Sequence, residues 1–368
     1  MKSPIRSCWT AAALTALAAL SPRSAAAAAD MSQVYARMAA ILPGLTPATP
    51  GASGVLKADE QAPVRGVPMI SADARLFTEP DDGRGPVLDV INAAQKSITV
   101  TIYEISDPDV VNALIAAQQR GVAVQVLYNY YSFTSKDPNA ATISQLQGAG
   151  VQVKPAPQTY EITHQKTLVA DAQTAVIMSF NLQASYFSTS RDFGYVTSDP
   201  ALVGEIEQVF QADWNDSPVT PSQPALVWSP VNSRTKITQV IEGATASLDI
   251  YNEELEDKSV VGAIAAAAQR GVKVRVLCAV LGSANKDGNA AGKSEINSAG
   301  GQAKSGTGLY IHAKMVLADY GTASAQAYMG SENFSATSLD KNRELGVILT
   351  DGAMLSSLEN TFQSDWGQ

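Results

Sequence analysis

The apolar positions of the chain change period in a fixed order, and that order occurs twice. Val87 to Gln95 (VLDVINAAQ) has the spacing of a helix, and Ser97 to Ile105 (SITVTIYEI) reads as a buried strand. Asp107 then opens a helical run, VVNALIAAQQR, that stops at Gly121, and VAVQVLYN is the next strand. Strand, helix and strand within about 30 residues predict a βαβ unit with a parallel pair. Further on, ITQVIEGAT, SLDIYNEEL and SVVGAIAAAAQRGVKVRVLCA repeat the order. Gln119-Arg120-Gly121-Val122 matches Gln269-Arg270-Gly271-Val272, and VFQADW up to Trp214 matches TFQSDW up to Trp366. The period is far too long for a solenoid, so the pattern predicts two copies of one α/β domain packed face to face.

Between the copies, residues 215 to 230 hold four prolines and read as a crossing linker, with the boundary near 220. The expected segmentation is a first domain over 67–216, a linker over 217–230 and a second domain over 231–368. Ahead of these, Lys2 and Arg6 precede the apolar run Trp9 to Leu20, then Pro22 and small residues to Ala29. That order predicts an export signal over 1–29 and hence a periplasmic or secreted protein. Residues 30–66 form a weakly patterned N-terminal segment with a loop rich in Pro, Gly and Thr. No transmembrane run of about 20 apolar residues is expected in the mature chain. Cys278, the one cysteine beyond the leader, lies in VKVRVLCAV and reads as a small core residue.

Composition narrows the function. Hydrophobic residues at 45% and charged ones at 17% describe a globular chain with sizeable cores. The net charge of −9, without a basic cluster, counts against nucleic acid as the main substrate, because such binding runs on phosphate neutralisation by Lys and Arg.

The chain has only two histidines, and both sit in one frame. His164, Lys166 and Asp171 in THQKTLVAD recur 148 residues later as His312, Lys314 and Asp319 in IHAKMVLAD. If the segment is a strand, His164 and Lys166 share a face about 6–7 Å apart, and Asp171 falls at its end before a turn. Downstream, Ser179, Asn181 and Asp192 return as Ser331, Asn333 and Glu344, all offset by 152 residues. An isolated H-x-K would be an ordinary strand face. The repetition of the whole set marks a site.

HxKxxxxD followed by GSxN, present twice, resembles the phospholipase D superfamily with its HKD motif, over roughly residues 70 to 368. The second copy carries Gly330-Ser331-Glu332-Asn333 in full, whereas Met178 stands where the first copy would have glycine. The resemblance implies two such domains, each a sheet flanked by helices, packed as a pseudo-dimer around one shared active site in a monomeric chain. It implies no cofactor and no metal, a phosphohistidine on His164, and His312 as general acid and then base. Lys166, Lys314, Ser179, Asn181, Ser331 and Asn333 would hold the phosphate. Asp192 and Glu344 would orient the imidazoles, while Asp171 and Asp319, members of the motif, would brace the strand turn and the lysine region.

Substrate must come from the surroundings. Tyr128 to Phe133, Tyr160, Tyr186, Phe187 and Tyr310 flank the motifs, and an aromatic, weakly charged rim suits a lipid headgroup. The expectation is hydrolysis of glycerophospholipids to phosphatidic acid and an alcohol, with transphosphatidylation as a variant. A metal-independent nuclease and a cardiolipin synthase-like transferase are the alternatives.

Overall fold

The computed structural model describes residues 74–130, 137–283 and 286–368. The expected leader over 1–29, the segment 30–66 and the aromatic stretch Tyr131 to Phe133 lie outside the described residues.

The first half runs β1 (Arg75–Glu79), α1 (Gly85–Ala93), β2 (Ser97–Ile102), α2 (Pro108–Gln119), β3 (Ala123–Tyr128), α3 (Ala140–Gly148) and β4 (Gln152–Pro155). It continues with β5 (Thr167–Ala170), β6 (Thr174–Met178), α4 (Tyr186–Thr189), β7 (Ser190–Thr197) and α5 (Pro200–Trp214). The second half repeats this as β8 (Leu226–Ser229), α6 (Ser233–Gly243), β9 (Ser247–Asn252), α7 (Lys258–Gln269) and β10 (Lys273–Cys278). A short hairpin, β11 (Gly282–Ser283) and β12 (Lys286–Asp287), precedes α8 (Ala290–Ser298) and β13 (Gln302–Ser305). Then come β14 (Tyr310–Ile311), β15 (Lys314–Ala318), β16 (Gln326–Gly330), α9 (Ala336–Asp340), β17 (Glu344–Leu349) and α10 (Gly352–Trp366).

The sheets are ordered β1-β7-β6-β5-β2-β3-β4 and β13-β10-β9-β15-β16-β17-β8. The predicted parallel pairs are β2 with β3 and β9 with β10, and the motif strands β5 and β15 join them antiparallel. The linker is shorter than expected, because Leu226–Ser229 pairs with β17 as an edge strand, just as β1 pairs with β7. Glu205 holds the crossing: its Oε2 accepts the Ser222 and Gln223 amides, and its Oε1 accepts Trp228 Nε1 at 3.0 Å.

Helix starts follow local chemistry. Asp107 caps α2 by accepting from the Asp109 and Val110 amides, and Asp257 caps α7 through Ser259 and Val260. Arg84 and Arg234 bind those two caps at 2.6 Å. Three apolar clusters follow. One packs α1–α3 on the first sheet and another packs α6–α8 on the second. The third is shared, joining Ile177, Phe193 and α5 to Trp228, Met315, Leu345 and α10. Burial of that shared layer fuses the halves, since removing apolar area from water is the main favourable term in folding. Cys278 is fully buried, and burial pushes its thiol up to about 11.

Candidate active site

The expected strand at THQKTLVAD begins only at Thr167, and its partner begins at Lys314. The residues ahead of each strand leave their own sheet and pair with the other half. The amides of His164 and Gln165 donate to the Arg343 carbonyl, both at 2.9 Å, with Thr163 bridged to Arg343. Symmetrically, β14 runs parallel to the start of β7, and the Ala313 amide reaches the Arg191 carbonyl at 2.9 Å. Each histidine is therefore delivered by one half onto the last strand of the other.

The two arginines fix this exchange through their side chains. Arg191 forks onto Asp365 at 2.6 and 3.0 Å, and Arg343 forks onto Asp213 at 2.8 and 2.6 Å. These bidentate pairs join opposite halves and explain the repeated FQ-x-DW ends: each aspartate clasps the arginine of the other copy. Sequence reasoning missed the pairing, although the recurrence of Arg191 with Arg343 and of Asp213 with Asp365 was its signal.

The imidazoles are held by crossed carboxylates. His164 Nδ1 lies 2.8 Å from Glu344 Oε2, and His312 Nδ1 lies 2.9 Å from Asp192 Oδ1. Glu344 is fully buried and also accepts Ser338 Oγ at 2.6 Å and Asn342 Nδ2 at 2.9 Å. Burial raises its carboxyl, but His164 and Lys166 outweigh that and hold it below the usual carboxylate range. An ionised carboxylate only accepts, so His164 carries its proton on Nδ1 and keeps the Nε2 lone pair. Burial, reinforced by Lys166 and opposed by Glu344, pulls His164 down to about 4. It is thus neutral near pH 7.

Ser179 does not serve as a phosphate donor. Its hydroxyl donates to Asp192 Oδ1 at 2.7 Å and accepts the Phe193 amide, and Ser190 Oγ takes the other Asp192 oxygen at 2.7 Å. Ser331 is fully buried and accepts the Leu345 amide at 3.2 Å. Both serines support the strands that carry the acids. Lys166 and Lys314 are fully buried, and each donates to the carbonyl of its own histidine. Burial, opposed by Glu344, draws the Lys166 ammonium down to about 7. Asn181 Nδ2 makes a long contact with Tyr186 OH at 3.4 Å, and Asn333 Nδ2 reaches Glu253 Oε2 at 3.3 Å. Both asparagines leave a buried Oδ1 without a partner among the described residues.

Asp171 and Asp319 stand apart from this chemistry, which corrects their grouping with the catalytic residues. Asp171 accepts the amides of Gln95, Lys96 and Ser97, and Asp319 those of Thr245, Ala246 and Ser247. Those amides begin β2 and β9, whereas the lysines sit near the opposite ends, five residues or about 17 Å away along an extended chain. The aspartates brace the turn but not the lysine region. Both adopt positive φ, 56° and 54°, a conformation Asp tolerates better than most residues. Met178 is likewise benign: it is fully buried in the apolar cluster of the first half. In the second half a Cβ on Gly330 would lie 2.4 Å from Gly346 Cα and 2.6 Å from Glu332 Oε2, so glycine is required there.

The aromatic expectation divides. Tyr186 and Tyr310 lie 4.6 and 6.2 Å from the His312 ring. Tyr160 instead stacks on the Arg343 guanidinium at 4.5 Å, and Phe187 and Tyr128 are buried in the core. Sequence reasoning missed Tyr103, whose ring is 5.0 Å from His164, and the acids Glu104 and Glu253. All three follow the ends of β2 and β9, where a parallel pair presents its ligand-facing loops. Fully buried Asn139 and Asn289 pin these loops, donating to the Tyr103 carbonyl at 2.9 Å and the Glu253 carbonyl at 2.7 Å. No group of three His, Cys, Asp or Glu placed to hold a metal occurs among the described residues.

A fused pair of α/β domains that cross-hold two imidazoles beside two buried lysines defines a class of phosphoryl-transfer protein. The family model described as "Cardiolipin synthase, PLD-like domain" matches twice, over residues 87–214 and 237–366, and the chain belongs to this phospholipase D superfamily. It is similar to phospholipase D Z of Dictyostelium discoideum, 24% identical over 186 residues covering 45% of this chain and 43% of that protein. It is also similar to a polyphosphate kinase of Vibrio parahaemolyticus, 29% identical over 206 residues covering 50% of this chain and 29% of the kinase. The chain thus spans less than half the length of these curated relatives. Among solved structures, the phosphatidylserine synthase of Haemophilus influenzae Rd KW20 superimposes with a TM-score of 0.63 at 13% identity, covering 80% of this chain and 86% of that one. The superfamily supports a phosphodiesterase or phosphotransferase.

Proposed function

We propose that the protein is an exported phospholipase D-type phosphodiesterase that hydrolyses glycerophospholipids to phosphatidic acid and an alcohol. The crossed His–carboxylate pairs carry this reading. In the first step Nε2 of neutral His164 attacks phosphorus, the bond from phosphorus to the alcohol oxygen breaks, and His312 gives that oxygen a proton. In the second, His312 takes a proton from water, the hydroxide attacks phosphorus, and the bond to His164 breaks. Lys166, Lys314, Asn181 and Asn333 offer positive charge and N–H donors to the phosphoryl oxygens. The acidic chain, the carboxylates of Glu104 and Glu253 beside the site, and the aromatic rings of Tyr103, Tyr186 and Tyr310 favour a diester with a neutral or cationic headgroup over a polyanion.

The test is a substrate panel in EDTA with wild type and His164→Ala. Phosphatidylcholine and phosphatidylethanolamine should yield phosphatidic acid, and phosphatidylethanol when ethanol is present, with wild type alone. DNA cleavage without phospholipid turnover would overturn the reading in favour of a nuclease.

A further inference from the structure

The duplication places Tyr103 and Glu253 at one equivalent position, the first residue after β2 and β9. In the first half an aromatic ring fills it, 5.5 Å from Lys166 Nζ. In the second half a carboxylate does, and it sits on the catalytic donors. Glu253 Oε2 accepts Lys314 Nζ at 2.9 Å and Asn333 Nδ2 at 3.3 Å, and lies 3.5 Å from His312 Nε2. Glu253 Oε1 accepts the Tyr310 hydroxyl at 2.5 Å. One oxygen thus gathers the lysine, the asparagine and the reactive imidazole nitrogen, the donor set that a phosphoryl oxygen requires. Burial pushes the Glu253 carboxyl up, but Lys314 and His312 outweigh it and keep the group well below the usual carboxylate range. Its carbonyl is tied to Asn289, so the side chain can swing while the backbone stays.

We propose that Glu253 is a specificity-determining residue whose carboxylate stands in the place of a phosphoryl oxygen, so that the site admits monoanionic phosphodiesters and disfavours dianionic phosphomonoesters. The proposal rests on the phosphodiesterase reading. An incoming ester must displace the carboxylate from Lys314 and Asn333, yet the pinned backbone keeps that negative charge beside the bound phosphate. Like-charge repulsion grows with the charge of the ligand, so a second negative charge is penalised in proportion. The product of diester hydrolysis is itself a phosphomonoester, so the same residue promotes its release.

Inorganic phosphate at pH 8, mostly dianionic, is the probe, and calorimetry of the full chain is the measurement. Wild type should bind it weakly. Glu253→Gln, which keeps the shape and loses the charge, should bind it at least about tenfold more tightly, a change of about 1.4 kcal/mol. Tyr310→Phe, which removes one hydrogen bond to the carboxylate and keeps its charge, should leave phosphate weakly bound. Dimethyl phosphate should gain less than phosphate in Glu253→Gln. Phosphate affinity that is unchanged or weaker in Glu253→Gln overturns the proposal. If that variant melts at once, wild type decides: dimethyl phosphate should bind more tightly than phosphate at pH 8, and the reverse order overturns the proposal. Phosphate binding needs no turnover, so failure of the phospholipid panel leaves this measurement intact, and the converse also holds.

Discussion

His164 Nδ1 lies 2.8 Å from Glu344 Oε2, across 180 residues of chain and across the boundary between the two halves. His312 and Asp192 repeat the relationship in the opposite sense at 2.9 Å. In neither half does a histidine Nδ1 meet a carboxylate of its own half. The catalytic unit is a property of the interface, and each acid acts on the histidine it did not come with.

Glu344→Gln should therefore cripple the histidine of the first half. A glutamine in that place no longer holds Nδ1–H with a charge, and its amide can impose the wrong tautomer. Turnover should fall by roughly two to four orders of magnitude with the fold intact, by analogy with a triad acid converted to its amide. Steady-state kinetics with a circular dichroism control checks this, and Asp192→Asn should produce a comparable loss through His312.

The depressed His164 sets an acid limit. Its pKa near 4 leaves the ring neutral across the physiological range and protonates it only as pH falls through about 4. The kcat/KM profile of wild type should hold down to about pH 5 and then drop. A drop centred near 6.5 would place the nucleophile elsewhere.

Asp171 and Asp319 should prove structural. Each replacement by Ala strips three backbone amides of their acceptor, at a cost of about 1–3 kcal/mol. The penalty should be larger at buried Asp319 than at the more exposed Asp171. Thermal melts should shift down while kcat, measured well below the melting temperature, stays near wild type. Loss of kcat without loss of stability would return these residues to the chemistry.

Arg343→Ala should loosen the halves. Arg343 is 1% exposed, forks onto Asp213 and stacks on Tyr160. Its removal leaves a buried carboxylate without its partner, which costs about 3–5 kcal/mol. Chemical denaturation should show the loss, and activity should fall earlier in denaturant than the far-ultraviolet signal does, because the site needs the interface.

Glu332, in the fully matching motif, is buried near Glu344 with Tyr328 OH donating to Oε2 at 2.6 Å, and its Oε1 has no hydrogen-bond partner among the described residues. Burial, then the Glu344 charge, raises it to about 8, so it stays protonated at neutral pH. A folded pKa raised above the unfolded value contributes stability below about 4.5 that is lost as pH rises through about 8. Glu332→Gln removes that loss, up to about 1.4 kcal/mol per pH unit within the window. Melts at pH 5, 7 and 9 should show a flatter profile in the variant than in wild type.

The sequence by itself determined the repeat, the βαβ units and the chemical inventory. Periodicity is local, and two histidines in one frame are visible without coordinates. It also exposed Arg191, Arg343 and the FQ-x-DW ends as recurrences, without saying what they bind. Tertiary structure alone decided the partners. Pairing of Arg343 with Asp213, and of Glu344 with His164, depends on which strand edges meet when the shared apolar layer closes, and no spacing along the chain encodes that. It moved Asp171 and Asp319 out of the site, because a strand carries its two ends about 17 Å apart. It turned Ser179 from a phosphate donor into a support for Asp192, and it brought Glu253, one acid in the run EELED, onto Lys314 and Asn333. Residue types fix what chemistry is available, and only the fold fixes which groups come within 3 Å of one another.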